Sequence, residues 1–211
     1  NSTIKNTIND LKKYFKHIVI VDDHSKEKIS NLKLSDDINI IRHQFNTGQG
    51  GAIQTGIYLF RDHFKSLSYI ITFDADGQLP HTSIPSFIKL IQNGTAIVIG
   101  KRTRIKRFTE KFLGKVAFLI CGVSDPYCGM KAYSLEANKQ KYFSRYNSVG
   151  TALMLDYIAK KLSLKNVDIN ITPRNGKSKF GGTLMSELRL SYSLFIGLRK
   201  LFLIWVSQRF H

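Results

Sequence analysis

Tyr69-Ile70-Ile71-Thr72-Phe73-Asp74-Ala75-Asp76-Gly77-Gln78 is the stretch on which the fold turns. Its first five residues are aromatic, apolar or β-branched, the kind of run that a parallel sheet buries on both faces. The next five break the pattern with two carboxylates one residue apart and a glycine. At the C-terminal lip of a parallel strand, those carboxylates stand where open α/β sheets bind ligands. Their oxygens suit a hard divalent cation that also holds a diphosphate, in a Lewis-acid role toward a departing nucleoside diphosphate. Taken alone, Asp-x-Asp reads equally well as a polar turn.

Upstream, Ile18-Val19-Ile20-Val21-Asp22-Asp23-His24-Ser25 repeats the arrangement of buried strand and paired carboxylates. Asp22 or Asp23 can accept hydrogen bonds from a nucleobase or ribose, and Asp23 or Ser25 can equally cap a helix. Ile4, Ile8, Leu11 and Phe15 recur at helical spacing before it, and Ile38–Ile41 reads as a second strand. Asn46-Thr47-Gly48-Gln49-Gly50-Gly51 opens a helix over Gly50–Phe64, where glycines admit a ligand to backbone N–H groups at a helix N-terminus. It is not a GxGxxG fingerprint, because position 53 is Ile53.

Downstream, a helix carries Ile84, Phe87, Ile88 and Ile91, and Thr95–Gly100 is a strand. Phe108–Ile120 reads as a helix leading into the loop Ser124-Asp125-Pro126-Tyr127-Cys128-Gly129, followed by a short strand over Met130–Tyr133. Thr151–Leu162 is a helix, and Val167–Ile171 alternates as a half-exposed strand does. Arg174-Asn175-Gly176-Lys177-Ser178-Lys179 follows. It is no Walker sequence, since position 171 is Ile171. It reads either as a phosphate clamp or as a solvated basic turn. Alternating strands and helices mark an α/β layer fold.

The 211 residues suit one domain with or without an appendage. Lys and Arg number 32 against 15 Asp and Glu, a net charge of +17 that favours nucleic acid, an anionic membrane surface or phosphorylated substrates. Cys121 and Cys128 are too few for a disulfide framework, which points to a reduced, cytoplasmic setting. No run reaches the ~18 uncharged apolar residues of a membrane span. The final segment, Thr183–Phe210, is instead an apolar helix with Trp205, Arg189, Arg199, Lys200 and Arg209. That pattern suits a membrane interface, or packing on the domain or a partner chain.

Taken in order, strand-DD, NTGQGG, strand-DADGQ, DPYCGMKAY and RNGKSK resemble glycosyltransferase family 2, most closely its polyprenyl-phosphate sugar transferase branch of the dolichol-phosphate mannose synthase type. The resemblance implies an α/β GT-A fold, Rossmann-like in binding nucleotide, with a mostly parallel central sheet. Residues 1–182 form that domain, 1–100 its nucleotide-binding half and 101–182 its acceptor half, and 183–211 an amphipathic C-terminal helix. It implies inverting transfer from a nucleotide-sugar donor to a polyprenyl phosphate or another cell-envelope glycan acceptor. Asp22, Asp23, Gly48, Gly50, Asp74 and Arg102 then serve the donor. Asp74, Asp76 and Gln78 surround Mg2+ or Mn2+, and Arg174, Lys177, Ser178 and Lys179 bind phosphate. The expected location is peripheral, on the cytoplasmic face of the membrane.

The sequence departs from the family in three places. The family opens with a strand ending in a Pro-Ala-Tyr-Asn-Glu-like segment. This chain begins with Asn1 in the helix that follows, as an N-terminally incomplete sequence does. Gln49 stands where Lys is frequent. The helix around Asp156 lacks the usual Glu-rich approach to an acceptor. A hydroxyl acceptor needs a general base, for which Asp125 is the candidate beside Asp76 as catalytic residues. A lipid phosphate is already anionic and needs none, and Asp125 is then a structural turn residue before Pro126. A metal-dependent nucleotidyltransferase is the enzymatic rival. A basic nucleic-acid-binding module explains the charge but leaves both carboxylate pairs unused, so no nucleic acid is expected.

Overall fold

The computed structural model describes residues 2–27, 29, 34–35, 38–64, 67–105, 108–137, 154 and 157–172, with scattered positions between 192 and 209. In chain order the elements are α1 (Ser2–Leu11), β1 (Ile18–Asp22), β2 (Ile38–Arg42), α2 (Gly48–His63), β3 (Tyr69–Thr72), a 3-10 turn (His81–Ser83), α3 (Ile84–Gln92), β4 (Ile97–Arg102), α4 (Phe108–Cys121), β5 (Lys131–Ser134) and β6 (Leu164–Ile169). The last strand starts three residues before the expected Val167, because Leu164 to Ile169 pair in register with Ile97 to Arg102 of β4.

β1 and β2 form a parallel pair, and a second sheet has the order β3-β5-β4-β6. β3, β4 and β6 share one direction, while β5 runs antiparallel to both β3 and β4. Its reversal carries the loop before β5, not the loop after it, to the carboxyl ends of β3 and β4. Among the described residues no strand lies between β1 and β3.

β4 shows how the pleat builds two core layers. Ile97 and Ile99 join Ile57, Ile70, Tyr133 and Tyr157 on one face. Val98 joins Ile84, Phe87, Met130 and Ile169 on the other. This is the period-two alternation of a strand covered on both sides. Pro85 sits in the first turn of α3, where its missing N–H is no loss. Ile84 and Phe87 on the buried face of that helix are fully enclosed. Met154, Tyr157, Ile158 and Ala159 are helical as expected, and Met154 and Tyr157 are buried. Asp156 and the loop 173–180 lie outside the described residues, as does the boundary at 182–183.

Candidate active site

The carboxyl ends of β1 and β3 converge on the first turn of α2. Asp23 lies just beyond β1. Its Oδ1 accepts from the Thr47 N–H, the Thr47 hydroxyl and His43 Nδ1, each at 2.8 Å, and its Oδ2 from the Gly48 N–H at 2.8 Å. A carboxylate thereby caps the positive end of α2. Burial of Asp23 is outweighed by these bonds, led by the Thr47 backbone, so its carboxyl is held below the usual value. Gly48, at φ +80°, is in the left-handed region that glycine tolerates. The expectation that its N–H faces a ligand is corrected, since it is committed to Asp23. Gly50 remains on the cavity wall.

Asp22 takes the opposite orientation, as successive strand residues do. It is 2% exposed and accepts from the Ser25 N–H at 2.9 Å, the Ile29 N–H at 3.4 Å and Arg42 Nη1 at 2.5 Å. Arg42 is its register partner on β2. These bonds overcome its burial and hold the carboxyl below the usual range. Asp22 lines the cavity, but its carboxylate is committed to these partners. It ties the β1–β2 pair and the turn after β1, and Asp23 is the member of the pair beside the helix terminus.

Asp74, half-buried after β3, accepts from Gln49 Nε2 at 2.6 Å through Oδ1. A Cβ built on Gly129 would fall 2.0 Å from Asp74 Oδ2, so only glycine admits this carboxylate. Burial and then the neighbouring Asp76 carboxylate push the Asp74 carboxyl above its ordinary range, against the Lys131 ammonium and the Gln49 amide. Excess negative charge of this kind is what a divalent cation neutralises, so the residues fit such an ion. The described residues hold no cluster of three or more His, Cys, Asp or Glu. One or two carboxylates with the rest of the shell from diphosphate oxygens and water is the Mg2+ pattern.

The acid loop is pinned at its far end. Asp76 Oδ1 accepts from the Gln78 N–H at 3.1 Å, with Gly77 at φ +77° between them. The Thr172 N–H donates to Gln78 O at 3.0 Å, the Thr172 hydroxyl to Gly77 O at 3.0 Å, and Gln78 Nε2 to Thr172 O at 3.5 Å. Thr172 is the last described residue before the basic segment, and Arg174, Lys177, Ser178 and Lys179 lie outside the described residues.

Arg102 ends β4 and reaches two acids. Nε donates to Asp125 Oδ2 at 2.7 Å, and Nη2 to Asp125 Oδ1 at 2.9 Å and to Glu110 Oε2 at 2.8 Å. Burial is the largest single influence and lowers its pKa, but the Asp125 hydrogen bond and the charges of Asp125 and Glu110 together outweigh it and raise the value. Asp125 is 1% exposed. Its loop is anchored by Asn166, which donates to Gly122 O at 2.7 Å and accepts from the Ser124 N–H at 3.0 Å. Both oxygens of this buried carboxylate are engaged by one arginine. That geometry fits the structural alternative for Asp125, in which it orients Arg102.

Two contributors escaped the sequence reading. Lys131, 2% exposed, donates Nζ to Cys128 O. Burial lowers its pKa, partly offset by Cys128, Asp125 and Asp74. Its only sequence signal was its place inside DPYCGMKAY. Glu110, on α4, closes the Arg102 ion pair. A cavity of about 1450 Å3 is lined by Asp22, Asp23, Gly48, Gly50, Asp74, Asp76, Arg102 and Glu110, which brings the donor-side candidates together.

An α/β layer with an acid pair at a strand's carboxyl end, opening on a cavity, has its ligand site where nucleotide-binding α/β folds have theirs. The chain belongs to glycosyl transferase family 2, whose family model matches residues 1–163. It is 31% identical over 209 residues to an uncharacterized protein of Methanocaldococcus jannaschii, covering 90% of this chain and 85% of that one. It is 28% identical over 230 residues to the UDP-N-acetylglucosamine–dolichyl-phosphate N-acetylglucosaminyltransferase of Methanococcus voltae, covering 90% and 89%. Among solved structures, glucosyl-3-phosphoglycerate synthase from Mycobacterium tuberculosis, in complex with Mn2+ and uridine-diphosphate-glucose, matches with a TM-score of 0.72 at 15% identity. That match covers 94% of this chain and 74% of that one, and it shows that the fold is GT-A.

Proposed function

We propose that this glycosyltransferase moves a sugar, with inversion, from a nucleotide-sugar donor to a polyprenyl phosphate. The carrying observation is the Asp74–Asp76 loop, cleared by Gly129 on one side and bonded to Thr172 on the other. The Methanococcus voltae relative, named for a dolichyl-phosphate acceptor, supports the lipid-phosphate choice. Mg2+ or Mn2+ bound by Asp74 and Asp76, with Gln78 beside them, supplies charge neutralisation to the leaving diphosphate.

The protein's own residues divide the remaining work. Asp23 and the first turn of α2 frame the nucleoside end of the cavity. Arg102, held by Asp125 and Glu110, presents a fixed cation toward phosphate. Arg174, Lys177, Ser178 and Lys179 grip phosphate of donor or acceptor. A phosphate oxygen attacks the anomeric carbon as an anion and needs no general base, which agrees with a site whose buried Asp125 is bonded to Arg102. Attachment to a membrane surface belongs to the same proposal. No helix among the described residues is long and apolar enough to cross a membrane, and Phe202 and Leu203 are more than half exposed.

The test is transfer of radiolabelled sugar from a panel of nucleotide sugars to polyprenyl phosphate, with and without Mn2+. Label in the lipid phase only with cation supports the proposal, and label released as sugar phosphate or as nucleotide adduct refutes it. Asp76→Asn should abolish cation-dependent donor binding while preserving the fold. Equal nucleotide affinity with and without Mn2+ in the parent would remove the cation from the proposal.

A further inference from the structure

The acids around the cavity differ in how the protein answers their charge. Asp22 accepts from two backbone N–H groups and pairs with Arg42. Asp23 accepts from two more backbone N–H groups, from the Thr47 hydroxyl and from His43. Asp125 holds Arg102 through both of its oxygens. Asp74 is the exception. Among the described residues its carboxylate has one hydrogen bond, from the neutral Gln49 amide, and no ion pair. Lys131 and Arg102 act on it only through space. Arg102 is bonded to Asp125 and Glu110, and Lys131 to Cys128 O.

The Gln49 bond falls on Oδ1 of Asp74 at 2.6 Å. Oδ2 lies on the side cleared by Gly129 and accepts from no donor among the described residues. Gln49 also follows Gly48, whose N–H bonds Asp23. The first turn of α2 therefore reaches the nucleoside end of the cavity with one residue and the acid loop with the next. An amide holds a carboxylate in place without cancelling its charge, whereas an ammonium group at the same place does both.

Resting on the cation reading of the Asp74–Asp76 loop, we propose that Gln49 is the positioning residue for Asp74, and that its neutrality makes capture of a nucleoside diphosphate depend on the cation. Helix α2 places the amide, the amide fixes Oδ1, and the lone pairs of Oδ2 are left for a divalent ion. A diphosphate arriving alone meets a carboxylate whose charge no protein cation pairs, and like charges repel. With the ion present, the same carboxylate is its ligand. Position 49 thus decides how much of the acid loop's charge the protein answers and how much falls to the metal.

Two variants of the full chain separate holding from charge. Mn2+ binding is followed by electron paramagnetic resonance, and UDP and GDP binding by calorimetry with and without Mn2+. Gln49→Ala removes the hold and adds no charge. Its Mn2+ affinity should fall about tenfold, and its diphosphate binding without Mn2+ should stay that of the parent. Gln49→Lys places an ammonium group beside Asp74. Its Mn2+ affinity should fall at least as far, while diphosphate binding without Mn2+ strengthens about tenfold or more. Gln49 is half-exposed on the cavity wall, so neither change disturbs the core, and thermal melts of both variants check this. Unchanged Mn2+ affinity in Gln49→Ala overturns the positioning role. Cation-free diphosphate binding equal in the Lys and Ala variants overturns the role of charge. A parent that binds no Mn2+ refutes the cation reading itself, a result distinct from a parent that binds Mn2+ and variants that do not differ from it.

Discussion

Gly129 stands directly against the Asp74 carboxylate, so closely that its own Cβ would overlap both carboxylate oxygens and their carbon. The glycine of one loop therefore fixes where the acid of another can stand. Gly129→Ala should expel Asp74 from this position. Mn2+ affinity is expected to fall about tenfold or more, the scale of losing a group that orients a ligand. Thermal unfolding with and without Mn2+ checks it, and an unaltered Mn2+ response in the variant would mean that Asp74 does not need this place.

Asp125→Asn removes one charge from a buried pair and leaves Arg102 short of a partner. Breaking such a pair costs about 3 kcal/mol, which for a domain of this size lowers Tm by roughly 6–12 °C. Transfer to a phosphate acceptor should weaken through donor KM and keep the pH profile of the parent. A normal Tm with a lost acidic limb in the pH profile would return Asp125 to the role of base.

Cys121 and Cys128 are both pushed up to about 11 by burial. At pH 8 only about a thousandth of each is thiolate, so iodoacetamide should label neither in the folded chain and both in urea. The sign of the linkage follows. The fold favours the protonated thiol, so this contribution is complete below the unfolded value near 9. It is lost as pH rises toward 11. Urea midpoints measured from pH 8 to 11 should fall over that window, and Cys128→Ala should flatten the fall.

Co-sedimentation with anionic liposomes should exceed that with neutral ones, and truncation after Gly182 should reduce it sharply. Raised salt should remove the electrostatic part and leave the apolar part. Equal sedimentation of full-length and truncated chains would place the contact elsewhere. α4 is the alternative surface, because Phe112, Phe118 and Leu119 are exposed on it beside Lys111 and Lys115.

The order of strands and helices was legible because each element carries its own period, and the acid pair of DADGQ was legible because it ends a buried run. Which of Asp22 and Asp23 meets a ligand was not. Adjacent strand-end residues point to opposite sides, and the choice depends on Arg42 lying opposite Asp22 in the register of β2. The Gly48 N–H looked available because nothing near it in sequence competes for it, yet Asp23 arrives from 25 residues away. Asp125 resembled a base because its partner Arg102 comes from a different strand. Nothing in the sequence singled out Lys131, since the pleat of β5 decides its burial, not its neighbours in the chain.

The reversed direction of β5 also fixes when the site can exist. Gly129 meets the carboxyl end of β3 only through β5, and the Thr72 hydroxyl bonds Gly129 O across 57 residues of chain. Pairing over such a separation pays its loop-closure entropy before any contact rewards it, so it belongs to the slow part of folding. A slip of one residue in that ladder would turn Lys131 out of the interior and carry Gly129 away from Asp74. A nascent or misregistered chain can therefore carry every acid of the DADGQ loop and still lack the pocket that holds them. Cation binding is thus a reporter of the finished sheet.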